Sequence, residues 1–448
     1  MIQNSEPKRS TFGTKINELQ SQGSQVFRIL YEFIGLRKSI NMNESEIEDY
    51  QNRKLRKLIT HAYETVPFYR KLFDKNRVDP SSIQRVSDLN LLPIIEKGML
   101  RKIPFNEKVS QLFIERPLRT VLTGGSTGEP FKIWITREEG NRRVAHRLRI
   151  LLFHGCARAL MFNKEATVAG MSGMVKRQWS DRLGILRKVE VPFDASMSKQ
   201  VKVILHEKPD IFWGYPSRLH QIARYLIDNR VVVKAPKAIF ADSETLLPIV
   251  REEIEKGFGS EVTNVYDSYE FGYVAWECKM HKGMHINCDS QVVQITKDNV
   301  ELKDGQCGNI TVTDLDNYAM PLIRYDTGDI GTKSKRRCNC GLAFPLLDSV
   351  SGRKWDLLLS PLRVEIPPLL VEQFVRRHKG IVEYQVIQNS VETLNVDIVV
   401  SDGYDYNADN QIRKKLESLY GFKDVTINHP RQIEKTASGK LRCVVRNF

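Results

Sequence analysis

The feature that most constrains the fold is the alternation of short β-rich runs with helical patterns between residues 115 and 266. The β-rich runs are Phe131–Ile135, Ala166–Ala169, Ile211–Tyr215, Ala238–Phe240 and Val262–Tyr266, and the helical patterns are 139–153, 217–228 and 247–256. Strands that alternate with helices are typical of βαβ units and a largely parallel sheet. The sequence therefore predicts an α/β class, with a large N-terminal domain built on mixed parallel sheets.

The regions on either side of this alternation have different patterns. Upstream, Leu55, Leu58, Ile59, Ala62 and Tyr63 share one face of a helix, which should end before Pro67 because a residue that precedes proline disfavours the helical conformation. Downstream of residue 285 the sequence pattern indicates a β-rich subdomain. The last hundred residues predict a small α+β unit, with a helix near 368–378, strands at 382–388 and 393–400, a helix at 409–419 and a strand at 424–428.

These patterns divide the chain into three parts. We predict an N-terminal tail and helix over residues 1–50, a large domain over 51–351, and a small C-terminal domain over 352–448. A chain of 448 residues is long enough for two or three domains, at about 150 residues each.

Composition excludes several classes of protein. No apolar run reaches the ~18 residues of a membrane span, the N-terminus lacks a secretory signal, and seven cysteines do not suggest a disulfide framework. The expected location is the cytoplasm. The net charge of +14 suggests an anionic partner, which could be nucleic acid, a phosphate-bearing ligand or a membrane surface. The sharpest basic cluster, Lys333, Lys335, Arg336 and Arg337, has no interleaved aromatics, so no nucleic acid is expected.

The strongest local motif is a glycine- and hydroxyl-rich loop. It consists of Thr123, Gly124, Gly125, Ser126, Thr127 and Gly128, followed by Glu129 and Pro130. A loop of this composition can direct backbone N–H groups at phosphate oxygens. Taken alone, it is more often a tight hydrophilic turn, and it lacks the Gly-Lys-Ser/Thr ending of a Walker loop.

Further segments follow this loop in order along the chain. They are Asn264–Glu270, Leu322–Asp329, Ser351–Asp356 and Lys435–Lys440. Together with the loop, they resemble the motif series of the adenylate-forming (acyl-CoA synthetase) superfamily. Three other segments resemble sequences of the phenylacetate–CoA ligase-like branch, including its capsule-polysaccharide-biosynthesis subgroup. They are Val66–Arg70, Trp213–Ser217 and Ala241–Leu246.

The resemblance implies a two-step, AMP-forming acyl-CoA ligase-like enzyme. A carboxylate would attack the α-phosphate of ATP to give an acyl-adenylate and pyrophosphate, and an acceptor would then displace AMP. The first step requires charge neutralisation on phosphate and alignment of a weak nucleophile. ATP and Mg²⁺ are the implied cofactors, with CoA as one option for the acceptor.

The same resemblance gives roles to individual residues. The Thr123–Gly128 loop would hold the β- and γ-phosphates, and Glu270 would bind Mg²⁺. Asp242, Ser243 and Glu244 would follow the adenine edge, Tyr266 would lie against the base, and Asp329 would accept hydrogen bonds from ribose. Asp267, next to Tyr266, would be a further ATP-binding residue. Taken alone, Asp329 is as often a turn-forming aspartate.

The resemblance implies that residues 51–351 are the large ATP- and carboxylate-binding domain and that residues 352–448 are a small mobile C-terminal lid domain, which would complete the catalytic site. Arg353 would contact phosphate or ribose, Lys354 and Asp356 would form the hinge, and Lys440 would bridge the carboxylate and the α-phosphate. Trp213, Tyr215 and Pro216 would form one wall of the substrate pocket, although aromatic residues of this kind are as often core. Asp267 stands where the superfamily commonly has glycine, which suggests a polar substrate such as an amino or hydroxy acid.

Two short cysteine motifs suggest a structural zinc site. Cys278 and His281 form a CxxH pair, and Cys338 and Cys340 form a CxC pair. Three sulfurs and one nitrogen are a common structural Zn²⁺ set, and His285 is the competing nitrogen ligand. The alternative is a group of ordinary reduced cysteines and surface histidines.

Several functions remain open at this stage. The acceptor could be CoA, a carrier protein or an amine, with surface polysaccharide biosynthesis as one setting, and the resemblance also allows a homodimer. A second enzyme class is an adenylyltransferase that leaves AMP on its acceptor. A non-enzymatic alternative is a degenerate ligase fold that binds an anionic partner.

Overall fold

The computed structural model describes residues 27–123, 131–156, 163–168, 187–192, 195–353, 357–362, 365–366, 371, 374–375, 378–435 and 441–448. Its helices are α1 (Glu44–Thr65), α2 (Pro67–Asn76), α3 (Lys97–Lys102), α4 (Phe105–Lys108), α5 (Arg137–Phe153), α6 (Met197–Glu207), α7 (Pro216–Asp228), α8 (Pro248–Phe258) and α9 (Asn407–Tyr420), and residues 27–39 are also helical.

Helix α1 shows how local sequence sets the element boundaries. It begins at a capping box, in which the Asn43 side chain accepts from the N–H of Glu46 and the Glu46 carboxylate accepts from the N–H of Asn43. It ends at Thr65, so the prediction from Pro67 is confirmed. Proline then occupies the first position of α2, where no N–H is required.

A large mixed sheet forms the body of the protein. Its strands are β3 (Lys164–Val168), β4 (Arg187–Glu190), β5 (Ile211–Gly214), β6 (Ala238–Asp242), β7 (Val262–Ser268), β8 (Gly272–Glu277), β9 (Met284–Ile286), β10 (Gln291–Lys297), β11 (Val300–Glu301), β12 (Cys307–Asp314), β13 (Tyr325–Lys333) and β14 (Leu346–Arg353). Their order is β11-β10-β12-β13-β14-β9-β8-β7-β6-β5-β3-β4. A separate antiparallel pair is formed by β1 (Arg119–Thr123) and β2 (Phe131–Ile135).

One half of the large sheet is parallel and covered by helices. Strands β4, β3, β5, β6 and β7 pair in parallel, and their apolar side chains share a core with α6, α7 and α8. Helices α7 and α8 approach closely at Gly257, where an added Cβ would lie 2.6 Å from the Cβ of Ala223. The α/β class predicted from the alternating pattern is confirmed.

The other half of the sheet, from β8 to β14, pairs in the antiparallel sense. It joins the parallel half through the β7–β8 ladder, so the predicted β-rich subdomain continues the same sheet. Its inner face shares a core with α1 and α2, which includes Leu55, Leu58 and Phe73.

The C-terminal region has a sheet and a core of its own. The strands are β15 (Leu358–Leu359), β16 (Glu365–Ile366), β17 (Ile381–Gln388), β18 (Thr393–Val400), β19 (Asp424–Asn428) and β20 (Val444–Arg446), and the four-stranded order is β19-β18-β17-β20. Helix α9 contributes Ile412 and Leu416 to this core. The Gln221 amide of α7 donates to Glu383 at 2.7 Å. The helix expected near 368–378 is described only in part, and the boundary at 351/352 stays a prediction.

Candidate active site and cysteine cluster

The predicted site residues gather at the carboxyl ends of β5, β6 and β7. Because these strands are parallel and adjacent, Trp213, Asp242 and the residues that follow β7 emerge at the same edge. The chain turns from β3 outward to β4 and later returns to the opposite side of β3 as β5. Open α/β sheets bind ligands at such a reversal of strand order.

Glu270, the predicted magnesium ligand, lies between α3 and β13. Its Oε1 is 3.6 Å from Lys97 Nζ and accepts from the Tyr325 hydroxyl at 3.4 Å. Lys97 also donates to Thr123 Oγ1 at 2.7 Å, at the point where the glycine-rich loop begins. Burial lowers the pKa of Lys97, and Glu270 opposes this shift. Lys97 therefore links the Glu270 carboxylate to Thr123, the first residue of the loop.

Arg143 fixes the backbone that carries Glu270. Its guanidinium donates to the carbonyl oxygens of Tyr269 at 2.8 Å and Glu270 at 2.6 Å. It also pairs with Glu139, one turn earlier on α5, at 2.6 Å. This arrangement makes Arg143 a positioning residue for the segment after β7.

Asp329, predicted to bind ribose, lies on β13 beside the end of β14. Its Oδ2 accepts from the Tyr266 hydroxyl at 2.7 Å, and its Oδ1 is 3.6 Å from Arg353 Nε. Burial raises the pKa of Asp329 to about 6, against the attraction of Arg353. The structure brings Tyr266, Asp329 and Arg353 together, and the contact of Tyr266 with adenine stays a prediction.

The segment after β6 makes a network of its own. Asp242 is buried and accepts from the Trp213 indole N–H, and Ser243 donates to Asp267 at 3.2 Å. Glu244 accepts from the N–H of Ser217 at 3.0 Å in the first turn of α7. Ser243 has a φ of 64°, a left-handed conformation that is costly for a residue with a Cβ. Asp242, Ser243, Glu244 and Asp267 therefore lie at one sheet edge, where their contacts with nucleotide stay predictions.

The predicted aromatic wall is largely buried. Trp213 and Tyr215 are 5% and 7% exposed, and Pro216 begins α7 as a buried residue. Trp213 stacks on Phe240 with ring centroids 4.5 Å apart, and the Arg147 guanidinium lies 4.4 Å above the indole. The wall belongs in part to the core, as such residues often do.

Several predicted site residues lie outside the described part of the chain. They are Gly124, Gly125, Ser126, Thr127 and Gly128 of the loop, the hinge residues Lys354 and Asp356, and the catalytic Lys440. Thr123 represents the loop in the structure, and Arg353 represents the segment that leads into the hinge.

The cysteine motifs meet in space, but with a different histidine from the CxxH pair. Cys278, His285, Cys338 and Cys340 place their donor atoms within 4.8 Å of one another. His281 is not part of this cluster, because its ring pairs with Glu277 at 3.0 Å. The predicted ligand His281 is thus corrected to His285, which β9 brings opposite Leu346 of β14. Sequence proximity favoured His281, whereas strand pairing selects His285.

The donor geometry suits a tetrahedral ion. Cys278 Sγ and Cys338 Sγ are 3.6 Å apart, and Cys340 Sγ and His285 Nε2 are 3.3 Å apart. Sulfurs that each lie about 2.3 Å from one zinc ion are separated by roughly 3.8 Å. The Nδ1–H of His285 donates to the Phe344 carbonyl at 3.3 Å, which leaves Nε2 as the ligand atom. Burial lowers the pKa of His285 to about 4, so the ring is neutral.

Sequence reasoning missed three residues that the structure places in or beside the site. Lys97 belongs to no motif, and it reaches Glu270 because the N–H of Ile95 donates to the Arg324 carbonyl at 2.9 Å, which holds this segment against β13. Arg143 and Arg147 lie on helix α5, which is buried along much of its length and carries none of the motifs. Their spacing on one face of α5 was the only available signal, and it is typical of many surface helices.

Comparisons with known proteins find similarity to phenylacetate–CoA ligases and to CapK. The model described as the CapK C-terminal domain matches residues 358–447. A phenylacetate-coenzyme A ligase from Thermus thermophilus is 27% identical over 432 residues, which cover 88% of this chain and 95% of the relative. Protein CapK from Staphylococcus aureus is 25% identical over 421 residues, with 90% of each chain covered.

Solved structures show the same fold. A 2-hydroxyisobutyryl-CoA ligase in the postadenylation state, in complex with 2-HIB-AMP, matches with a TM-score of 0.75 at 19% identity, and 92% of each chain is covered. The same ligase in the thioesterification state matches with a TM-score of 0.60. Over most of its length the chain is thus similar to phenylacetate–CoA ligases and to CapK, and its fold is that of adenylate-forming CoA ligases, which supports an AMP-forming CoA ligase-like enzyme.

Proposed function

We propose that this protein uses ATP to activate a carboxylic acid as an acyl-adenylate, releases pyrophosphate, and passes the acyl group to CoA or another acceptor. One observation carries the proposal: Lys97 contacts both Glu270 and Thr123, which joins a cation, a carboxylate and the start of the phosphate-type loop. Adenylation needs these groups, because charge develops on the phosphates as the acyl oxygen attacks.

Each described residue has a part in this scheme. Lys97 and Arg353 supply positive charge near the phosphates, and the Asp329 carboxylate accepts from ribose while Tyr266 holds it in place. Glu270 offers hard carboxylate oxygen to a Mg²⁺ ion, which would neutralise charge on the phosphates. Lys440, from outside the described residues, would bridge the carboxylate and the α-phosphate.

We also propose that the acid is polar, such as an amino or hydroxy acid. Asp242 and Asp267 are carboxylates at the ends of neighbouring parallel strands. Burial raises the pKa values of Tyr269 and Tyr273, and the charges of both aspartates add to this shift. A pocket bounded by carboxylates and phenols favours a substrate that carries a donor or a positive charge. A clear preference for long fatty acids would contradict this part of the proposal.

The central experiment is carboxylate-dependent pyrophosphate exchange, measured across a panel of acids with and without CoA. Lys97→Met should lower exchange by about two orders of magnitude, which is typical of losing one stabilising group at a developing charge. Lys102→Met is the matched control, because Lys102 lies on the same helix α3 but is exposed. Equal activity of both variants would remove Lys97 from the mechanism.

Product analysis separates the two enzyme classes. Release of free AMP supports a ligase, whereas a stable adenylylated product supports an adenylyltransferase. The acceptor panel should contain CoA, a pantetheinyl carrier protein and amino sugars. The similarity to a relative named CapK motivates the finer proposal, a role in surface polysaccharide biosynthesis.

A structural Zn²⁺ at Cys278, His285, Cys338 and Cys340 is the second part of the proposal. The four ligands would join β8, β9 and the segment before β14, so the ion would stabilise the fold. Elemental analysis of purified protein should find near-stoichiometric zinc. Metal-free protein with unchanged thermal stability would contradict the assignment.

A further inference from the structure

Residues 27–39 form a helix that is apolar on two opposite faces. The inner face, with Ile29, Phe33 and Ile40 just beyond its end, packs against the core around Trp276. The outer face also carries large apolar side chains. Phe27 is 76% exposed, Leu30 41%, Tyr31 77% and Ile34 58%.

The outer residues form a continuous stripe. Their spacing of three, four and seven residues places them on one side of the helix, about 10 Å long at 1.5 Å per residue. Because the inner face already supplies the core contacts, the outer stripe is not required for folding. A helix that is apolar on both faces needs a second apolar surface to cover it.

Positive charges border this stripe. Arg28 and Arg37 lie on its two flanks, and Lys38 continues it at the C-terminal end. Arg28 pairs with Glu138 at 3.5 Å, whereas Arg37 and Lys38 have no acidic partner among the residues that the structure describes. The pairing of Arg337 with Glu44 brings the cluster of Lys335, Arg336 and Arg337 to the chain just beyond this helix.

We infer that helix 27–39 lies on an anionic phospholipid surface, with Phe27, Leu30, Tyr31 and Ile34 at the level of the acyl chains and the flanking cations at the headgroups. The arrangement of an apolar stripe between basic flanks is that of an interfacial helix. Juxtaposed Lys and Arg side chains add electrostatic attraction to anionic headgroups. Among the described residues, no helix is both long and apolar enough to cross a bilayer, so the helix would lie on the surface.

Two properties favour a lipid surface over a second copy of the chain. The stripe exposes on the order of 500 Å² of side chain, whereas each partner in a stable protein interface buries about 800 Å². The charges that the helix itself carries beside the stripe, Arg28, Arg37 and Lys38, are all positive, so a symmetric pair of these helices would bring like charges together. The net charge of +14 favours an anionic surface in the same way.

Vesicle flotation of the full-length protein tests the inference independently of the enzymatic proposal. The protein should float with vesicles that contain phosphatidylcholine and phosphatidylglycerol, and it should not float with vesicles of phosphatidylcholine alone. The variant Phe27→Ser/Tyr31→Ser/Ile34→Ser should bind at least tenfold more weakly. Its matched control is Val232→Ser/Val300→Ser, which removes exposed apolar side chains elsewhere and should bind as the parent does.

Some outcomes would overturn the inference. One is that the parent protein does not bind anionic vesicles, and another is that the triple variant binds them equally well. A third is that the parent is a dimer that does not bind vesicles and the triple substitution makes it a monomer. Protection of the Phe27, Tyr31 and Ile34 side chains from solvent in the free protein would also count against it, because another part of the chain would then cover the stripe. Unchanged circular dichroism of the triple variant establishes that it folds.

Discussion

Two largely buried aspartates, Asp289 and Asp329, show the difference between scaffold and site in this molecule. Asp289 receives the Arg149 guanidinium at 2.5 and 3.1 Å and the Ser39 hydroxyl at 2.5 Å. Asp329 receives the Tyr266 hydroxyl at 2.7 Å, and its cation, Arg353, lies 3.6 Å away. The Asp289 carboxylate therefore accepts three close hydrogen bonds, whereas the Asp329 carboxylate accepts one and has a more distant cation.

The pKa values of the two aspartates reflect this difference in hydrogen-bond donors. Burial raises the pKa of both carboxyls, but the charge and hydrogen bonds of Arg149 hold the pKa of Asp289 well below its usual range. At Asp329 burial prevails, and the pKa rises to about 6. A carboxylate held with too few donors is a poor stabiliser but a ready acceptor for a ligand, which suits the proposed ribose contact.

The largest expected effect on the scaffold side comes from Arg149→Ala. Removing this fully buried guanidinium leaves the Asp289 charge uncompensated, which should lower the free energy of unfolding by about 3–5 kcal/mol. Denaturant titration measures the change. Arg336→Ala removes an exposed pair with Asp348 and should cost less than about 1 kcal/mol. Similar losses in the two variants would place Arg149 among ordinary surface pairs.

On the site side, Asp329→Asn should lower pyrophosphate exchange by about 100-fold, since an amide cannot replace hydrogen bonds to a carboxylate worth about 1.5–3 kcal/mol each. Stability should be kept. Asp304→Asn, which affects an exposed partner of Lys333, controls for the loss of one negative charge. If Asp329→Asn retains exchange but melts several degrees earlier, Asp329 is part of the scaffold and the comparison fails.

The two histidines near the cysteine cluster extend the comparison. His285→Ala should remove the bound zinc and lower the free energy of unfolding by about 2–3 kcal/mol, because metal binding is linked to folding. His281→Ala is the matched control, since His281 pairs with Glu277 and lies outside the cluster. Zinc content and chemical denaturation are measured together. Loss of zinc from the His281 variant alone would restore the ligand set read from the sequence.

The fold could be predicted from the sequence more accurately than the side-chain contacts of the site. Strands β2, β5 and β7 and helices α5 and α7 lie within a few residues of the predicted positions, because hydrophobic period is a local signal. His285 replaces His281, and Lys97 joins Glu270, only through strand pairings between distant segments. Such partners are set by tertiary register, which one sequence does not encode in its spacing.

The smallest expected effect is the pH dependence contributed by Asp329. Its pKa is raised, so the folded state retains a proton that the unfolded chain releases near pH 4. The stabilising contribution is therefore complete below about pH 4 and is lost as the pH rises through about 6. Two pKa units correspond to at most roughly 3 kcal/mol. Because dissolved salt screens the repulsion from Glu270 and Asp326, on the order of 1 kcal/mol is expected.

The measurement is the free energy of unfolding from pH 4 to 8 for the parent and for Asp329→Asn. Buried Glu139 and Asp314 also have raised pKa values, so only the difference between the two proteins isolates Asp329. This difference should change sharply between pH 4 and 6 and favour the variant above pH 6. For Asp289 the sign is opposite: its contribution is complete above about pH 4 and is lost as the pH falls. Parallel curves for Asp329→Asn and its parent would show that folding leaves the pKa of Asp329 unchanged, and a pH dependence of opposite sign would show that Asp329 is stabilised by donors as Asp289 is.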